Sequence, residues 1–286
     1  MLRGMGLVLK PLAPILTADR FSELGRELIA LLRSLSGDQW RLPTVAAQWT
    51  VKDVAAHLLD TACRRLSSQR DGFRPPPDRP LDSYDNLVAF LNDLNAQWVA
   101  AFRRASPRLL TDFMELVETA YGEQVLTLDP WAPALPVAWA GEEESLGWFD
   151  LARELTERWH HQQQIRLAVG APPLDDPRLS EPVFDTFIRA LPHGYRNVTA
   201  PAGTALTVRI EGRKVYAYTL VAREGGGWDL LAGEAAYPAA RIVLAEEPAW
   251  LLFTKGLRGE AAKRRAMVEG DPALAERFFE ILAVMA

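Results

Sequence analysis

The sequence predicts an α+β protein of two domains, a helical bundle followed by a small α+β domain with an antiparallel sheet. Apolar residues recur at helical spacing through about the first 170 of the 286 residues. Beyond residue 195 they alternate with polar residues, as in strands that bury one face. The chain is also long enough for two domains of ordinary size. We therefore predict a helical domain over residues 1–178 and an α+β domain over residues 179–286.

The first domain is predicted to be a bundle of four main helices with long connections. Pro107 suits the first turn of a helix, and Gly170 stops the last long one. A proline-rich segment, residues 74–80, forces a break in the middle of the domain. The helical patterns cover residues 17–35, 50–66, 84–104, 107–117 and 145–169.

The second of these patterns has the clearest start. Thr50 and Asp53 have the spacing of a capping box, in which each side chain binds the backbone N–H of the other residue. Apolar residues from Val51 to Leu66 then form one face of the helix, and His57 lies at the edge of that face. The sequence therefore places His57 at the margin of a helix that packs into the bundle.

Short strands dominate the first half of the α+β domain. Two alternating segments flank residues 211–214, which read as a tight hairpin turn. Two further strands and two helices follow. The strands are predicted at Thr204–Ile210, Val215–Val221, Trp228–Leu231 and Ala240–Leu244, and the helices at Pro248–Phe253 and Pro272–Val284.

Charge and composition exclude several classes of protein. The net charge is −5, and the 32 Lys and Arg residues are interleaved with 37 acidic ones, so no basic surface for nucleic acid is predicted. No stretch reaches the roughly 20 apolar residues that span a membrane. Cys63 is the single cysteine, which fits a reducing compartment. We expect a cytoplasmic protein without nucleic-acid or membrane partners, monomeric or homodimeric.

Three of the four histidines fall in two helical segments, and they define the candidate site. Glu157 and His161 are four residues apart, so their side chains are neighbours on one helix face. Together with His57 they make a set of two imidazoles and one carboxylate, which can hold a divalent metal and leave a position open. His160 is a rival ligand by spacing alone. Without a metal, Glu157 and His161 would lie on a solvated helix face, and His57 would be an ordinary histidine at the edge of the core.

The segments around these residues resemble a known family. Residues 48–58 read Gln-Trp-Thr-Val-Lys-Asp-Val-Ala-Ala-His-Leu, and Glu157-x-x-x-His161 follows a hundred residues later. This order is similar to that of the DinB-like metalloprotein superfamily, and within it to the maleylpyruvate isomerase-like proteins that depend on a low-molecular-weight thiol such as mycothiol. The resemblance covers about residues 12–175. It implies an up-down four-helix bundle with a divalent metal held at one end by His57, Glu157 and His161.

The resemblance favours His161 over His160, because the family pattern has glutamate and histidine four residues apart. The sequence departs from the family pattern at Gln164, where family members often carry aspartate. Ligand type suits zinc best, while nickel, iron and manganese stay open. The thiol is expected to be a cofactor such as mycothiol or bacillithiol, since Cys63 is better explained as a small residue on a helix flank.

The second domain resembles, more weakly, the sterol-carrier-like domain that accompanies such bundles. The resemblance is carried by four short segments, which are Val208–Gly212, Trp228–Leu230, Arg258–Gly259 and Val268–Pro272. An aromatic core explains Trp228 more simply than a lipid pocket does.

These observations lead to one main hypothesis about function and two alternatives. The main hypothesis is a metal-dependent, thiol-linked transferase or isomerase that acts on a small electrophilic molecule. The first alternative is a metal-dependent hydrolase in which the ion activates water. The second is a non-catalytic protein that binds a small molecule or lipid.

Overall fold

The computed structural model of the chain describes residues 9–283, and it confirms the α+β class. Helices dominate residues 18–194, and five strands of a six-stranded sheet follow with further helices. The helices of the first region are α1 Phe21–Ser34, α2 Val51–Arg65, α3 Tyr84–Phe102, α4 Pro107–Val125, α5 Gly147–Val169, α6 Pro177–Ile188 and α7 Leu191–Gly194. A short π-helical segment, Leu66–Arg70, extends α2.

Helices α1, α2, α3 and α5 lie within a few residues of the predicted bounds. Helix α4 begins at Pro107 as predicted but extends to Val125, beyond the predicted end at residue 117. Helix α6 was not predicted. It has Asp176 as its N-cap and Pro177 in its first turn, but it also contains Pro182, which reads as a helix breaker. The apolar side of α6 is nevertheless buried, and burial of Val183, Phe184 and Phe187 stabilises the helix in spite of the proline.

The strands are β1 Lys10–Pro11, β2 Pro133–Ala134, β3 Ser145–Leu146, β4 Ala205–Glu211, β5 Val215–Ala222, β6 Trp228–Ala232, β7 Ala240–Ala245 and β8 Ala266–Gly270. Six of them form one sheet in the order β1-β6-β5-β4-β7-β8, while β2 and β3 pair with each other. The sheet was predicted to be antiparallel, and this is wrong in one place. Strands β4 and β7 run parallel, so the sheet is mixed.

The parallel pair results from the way the chain returns after β6. Residues 233–239 cross from the β6 side of the sheet to the far side of β4, where β7 begins. The backbone N–H of Ala235 is held there by the hydroxyl groups of Thr219 at 3.2 Å and Thr207 at 3.4 Å. Both threonines are fully buried. These buried hydroxyls satisfy the backbone of a segment that would otherwise lie unpaired against the sheet.

The last part of the chain contains α8 Glu246–Phe253, α9 Gly259–Lys263 and α10 Pro272–Glu276. The final helix was predicted to reach Val284, a residue outside the described part of the chain. It is shorter than predicted, because a 3₁₀ segment follows at Arg277–Glu280 and the backbone is then extended. The N–H of Ala283 donates to the carbonyl of Phe253 at 3.1 Å, a contact that needs the extended conformation.

The described residues divide into two compact units that are both discontinuous in sequence. One contains residues 16–130 and 154–174, and the other contains 9–15, 131–153 and 175–283. The first unit has an apolar core built from α1, α2, α4 and α5, with Leu28, Val54, Leu58, Met114 and Ile165 among its buried members. The predicted domain boundary at residue 178 stays a prediction. No helix between residues 9 and 283 has the length and apolar character needed to cross a membrane.

Glu246, at the start of α8, makes stability depend on pH. Its Oε1 atom is buried and has no hydrogen-bond partner among the described residues. Burial raises the pKa of Glu246 from 4.5 to about 7, with a further contribution from Asp175 that outweighs Arg213. The folded state therefore holds this proton more tightly than the unfolded state does. Its stabilising effect is complete below pH ~4.5 and is lost as the pH rises to about 7.

We expect Glu246→Gln to raise the free energy of unfolding at pH 8, where the wild-type carboxylate is charged. We expect a gain of about 1–2 kcal/mol. The whole rise in the pKa of Glu246 corresponds to roughly 3 kcal/mol of unfolding free energy, and the partial exposure of this side chain to solvent reduces that value. At pH 5 the gain should be much smaller. Urea unfolding at both pH values measures the difference, and an equal gain at pH 5 and pH 8 would contradict this explanation.

Candidate metal centre

The start of α2 is fixed firmly, which sets the position of His57. The predicted capping box is present: the backbone N–H of Asp53 donates to the Thr50 hydroxyl, and that of Thr50 donates to the Asp53 carboxylate at 3.0 Å. The guanidinium of Arg103 also donates to Asp53 at 3.0 Å. Because one turn of helix is 3.6 residues, His57 lies about two turns from this anchored end.

Helix α5 is anchored by side chains next to the predicted ligands. Gln162 donates to the carbonyl of Leu24 in α1 at 2.7 Å. Gln163 exchanges two hydrogen bonds with the backbone of Leu174, at 3.0 and 3.3 Å. These bonds set the rotation of α5 about its axis, and they direct Glu157 and His161 toward α2.

The structure brings the three predicted ligands together. The Oε1 atom of Glu157 lies 3.0 Å from Nε2 of His57 and 3.0 Å from Nε2 of His161. One donor atom from each of the three residues falls within 4.8 Å of the others. Among the described residues, this is the one group of three His, Cys, Asp or Glu side chains found at such distances. The expected juxtaposition of α2 and α5 is present, and the binding of a metal stays a prediction.

His160 does not join this group. Its Nδ1 atom donates to the carbonyl of Thr156 in its own helix at 3.0 Å and lies 3.9 Å from Oε2 of Glu157. Burial, together with the neighbouring His161, lowers the pKa of His160 from 6.5 to about 3, so its ring is neutral. The geometry therefore selects His161 as the candidate ligand and gives His160 a structural position.

The charge states of the cluster suit a cation. Burial lowers the pKa of His57, with a further contribution from His161, so its imidazole is neutral at pH 7. Burial alone would raise the pKa of Glu157, but the adjacent His161 and His57 hold it well below its ordinary value. The side chain of Glu157 is also 32% exposed, so water reaches the carboxylate. Neutral imidazole and ionised carboxylate are the forms that bind a metal.

The hydrogen bonds of His161 indicate whether a cation fits between the donor atoms of the three candidate ligands. Its Nδ1 atom lies 2.8 Å from the side-chain oxygen of Gln164, and an amide oxygen only accepts. Nδ1 therefore carries a proton, and Nε2 is the nitrogen that faces Oε1 of Glu157. A distance of 3.0 Å between Nε2 and Oε1 needs a positive centre between the two atoms, which is a proton on Nε2 or a cation in its place. The donor set thus fits a small divalent ion held by His57, Glu157 and His161.

Trp49 forms a wall beside the cluster. The centre of its indole ring lies 4.8 Å from that of His57 and 6.2 Å from that of His161. The indole is partly buried against the apolar core of the bundle. It therefore keeps water from one side of the two imidazoles. This contact with the two imidazoles was not predicted from the sequence.

A buried ionic network that was not predicted from the sequence includes Glu154 and Arg158 of α5, next to the candidate ligands. Arg158 pairs with Glu118 of α4 and lies 3.5 Å from Glu154, which in turn binds Arg65 at 2.9 Å. The guanidinium of Arg158 also stacks on the ring of Tyr121 at 4.5 Å. The four-residue spacing of Glu154 and Arg158 is a signal for a pair, but it does not indicate that the pair is buried.

Comparisons with known proteins identify one family model and two solved structures that are similar to this chain. Residues 21–166, about half of the chain, match the family model described as the mycothiol maleylpyruvate isomerase N-terminal domain. Two solved structures also match: a mycothiol-dependent maleylpyruvate isomerase, at 10% sequence identity and a TM-score of 0.48, and a histidine-to-alanine variant of such an enzyme, at 11% and 0.47. Each match covers 82% of this chain and 88% of the other. Among curated proteins, none is similar enough to count as a match.

Proposed function

The chain belongs to the family of the mycothiol maleylpyruvate isomerase N-terminal domain, and from this premise we propose that it is a metal-dependent enzyme linked to a low-molecular-weight thiol. It would catalyse transfer to, or isomerisation of, a small electrophilic molecule. The observation that carries the proposal is the convergence of His57, Glu157 and His161, whose donor atoms lie within 4.8 Å of one another.

The three residues would hold one divalent ion through two imidazole nitrogens and one carboxylate. This ligand set suits zinc, and nickel, iron or manganese are the other candidates. A bound ion would supply positive charge that lowers the pKa of a coordinating thiol. The ionised Glu157 offsets part of the ion's charge, and Trp49 shields one side of the imidazoles from water.

The thiol would come from a cofactor, because the protein's own cysteine is unsuited to the role. Burial raises the pKa of Cys63, and the carboxylates of Asp60 and Glu118 raise it further. The group therefore stays a thiol at neutral pH, while the thiolate is the nucleophilic form. A small thiol such as mycothiol or bacillithiol would supply the sulfur instead.

The proposed chemistry is addition of this thiol across an activated double bond of the substrate. The sulfur forms a bond to one carbon, and the thiol proton ends on the other carbon, so atoms and charge balance. In an isomerase, rotation about the new single bond and loss of the thiol then regenerate the cofactor. In a transferase the adduct is the product.

The proposal is tested by assaying small unsaturated carbonyl compounds with mycothiol and zinc-loaded protein. Turnover should require both thiol and metal, and removal of the ion with a chelator should lower the rate at least ~100-fold, because metal ions contribute several kcal/mol of charge stabilisation. Cys63→Ser is the matched control, and it should keep its rate within about twofold. Metal-dependent hydrolysis of esters or amides without thiol would contradict the proposal and select the hydrolase.

A further inference from the structure

Gln164 is the last of three consecutive buried glutamines on α5. The side chains of Gln162 and Gln163 bind backbone atoms of α1 and of the segment after α5. The side-chain oxygen of Gln164 instead lies 2.8 Å from Nδ1 of His161. Of the three amides, this is the one whose bond within the described chain reaches a candidate ligand. Its role is therefore different from the structural role of its neighbours.

The direction of this hydrogen bond determines which nitrogen of His161 can bind an ion. A neutral imidazole has one proton, which sits on Nδ1 or on Nε2. Since the amide oxygen of Gln164 accepts from Nδ1, the proton stays on Nδ1. In the neutral ring, Nε2, which lies 3.0 Å from Oε1 of Glu157, is then the nitrogen with a lone pair available to an ion. The opposite tautomer would place a proton where the ion has to bind.

We propose that Gln164 is a positioning residue of the metal centre: its side-chain oxygen keeps the proton of His161 on Nδ1, so that Nε2 is free to coordinate the ion. The inference rests on the proposed function, since it assumes that the cluster holds a metal. Hydrogen bonds of this kind fix both the tautomer and the orientation of the ring, and their loss typically weakens metal binding by about 10–100-fold.

His57 provides the contrast within the same site. Its Nδ1 atom is buried and has no hydrogen-bond partner among residues 9–283. Its ring is held by packing, with Trp49 on one side at 4.8 Å between ring centres. Of the two imidazoles, His161 therefore carries the outer hydrogen bond that selects a tautomer. Removal of the Gln164 oxygen should therefore weaken metal binding through its effect on His161.

The neutrality of Gln164 has a second consequence. Two neutral imidazoles and one carboxylate leave a divalent ion with a net charge of about +1, and a neutral amide does not change this. A carboxylate at position 164 would accept the same hydrogen bond and bring the net charge to about zero. Gln164→Glu should therefore bind the ion more tightly than the wild type, because charge-assisted hydrogen bonds are the stronger ones.

The test is a Zn²⁺ titration of the full chain in competition with a chromophoric chelator. Gln164→Leu should weaken the dissociation constant by about 10–100-fold. Gln164→Glu should bind at least as tightly as the wild type. Gln162→Leu is the matched control: it removes a buried amide from the same helix but not from His161, and it should bind zinc within about threefold of the wild type.

A nitrogen-15 NMR spectrum of the zinc-loaded protein gives a readout that a merely structural role would not change. In the wild type and Gln164→Glu the Nδ1 proton of His161 should exchange slowly with water, while in Gln164→Leu it should exchange faster, because no side-chain oxygen accepts it. If Gln164→Leu binds zinc as tightly as the wild type, the inference is wrong and the proposed function stands. If the wild type binds no Zn²⁺, the proposed function fails and the inference with it.

If Gln164→Leu does not fold, Gln164→Glu still decides the question. The two side chains have the same shape, so the glutamate variant should fold like the wild type. Zinc binding weaker than that of the wild type in this variant would overturn the inference, because a carboxylate is the better acceptor for Nδ1–H.

Discussion

Glu157→Ala is expected to abolish stoichiometric metal binding. This carboxylate is the one negatively charged member of the cluster, and its Oε1 atom lies 3.0 Å from both candidate imidazoles. Without it, two neutral nitrogens face the ion, and neither supplies the charge that offsets its desolvation. We expect metal affinity to fall by more than ~100-fold, beyond the 10–100-fold typical of outer hydrogen-bond partners. His57→Ala should have a comparable effect, because it removes the ligand contributed by α2.

Metal analysis of the purified variants measures this directly. The wild type should retain close to one divalent ion per chain, while Glu157→Ala and His57→Ala should retain almost none. His160→Ala is the matched control, since it removes a buried imidazole adjacent in sequence whose Nδ1 binds the carbonyl of Thr156 instead. It should keep its metal. Full metal content in both ligand variants would show that the ion lies elsewhere.

Arg158→Met is expected to lower the free energy of unfolding more than any other substitution considered for this protein. The side chain of Arg158 is only 3% exposed, and its guanidinium forms an ion pair with Glu118 across the bundle. Removing one partner of such a pair leaves the other charge buried and uncompensated, at a cost of about 3–5 kcal/mol. Arg158 also stacks on Tyr121, so the aromatic contact is lost as well. Urea unfolding monitored by circular dichroism measures the change.

The pH dependence of this loss identifies its cause. Burial raises the pKa of Glu118 even in the presence of Arg158, and without Arg158 the pKa should rise further. A raised pKa in the folded state means stability that is present at low pH and lost as the pH rises. Arg158→Met should therefore be destabilised more at pH 8 than at pH 5. The double variant Arg158→Met/Glu118→Leu should recover most of the loss, and failure to recover it would assign the effect to packing.

The sequence indicates helices α1 to α5 and a candidate set of site residues, while α6 was not predicted. The Thr50–Asp53 capping box locates the start of α2, and the four-residue spacing of Glu157 and His161 places both on one face of α5. Periodicity alone does not show that His57 meets this pair, because a hundred residues separate them. That expectation came from the resemblance, and the structure places the atoms 3.0 Å apart.

Other features follow from tertiary contacts that a local pattern does not record. Glu118, Glu154 and Arg158 have the composition of a solvated helix surface, yet all three are buried. Strand β8 was not predicted, because most of its side chains are exposed and show no apolar alternation. The parallel pairing of β4 and β7 depends on how residues 233–239 cross the sheet, which is a long-range choice. Gln164 was noted as a departure from the family pattern, while its contact with His161 became evident from the structure.

The most direct test of the metal centre is a crystal structure of the zinc-loaded protein with anomalous diffraction measured at the zinc edge. We expect one anomalous peak, about 2.0–2.2 Å from Nε2 of His57, Nε2 of His161 and a carboxylate oxygen of Glu157. A peak bound by other side chains, or no peak near these three residues at saturating zinc, would contradict it.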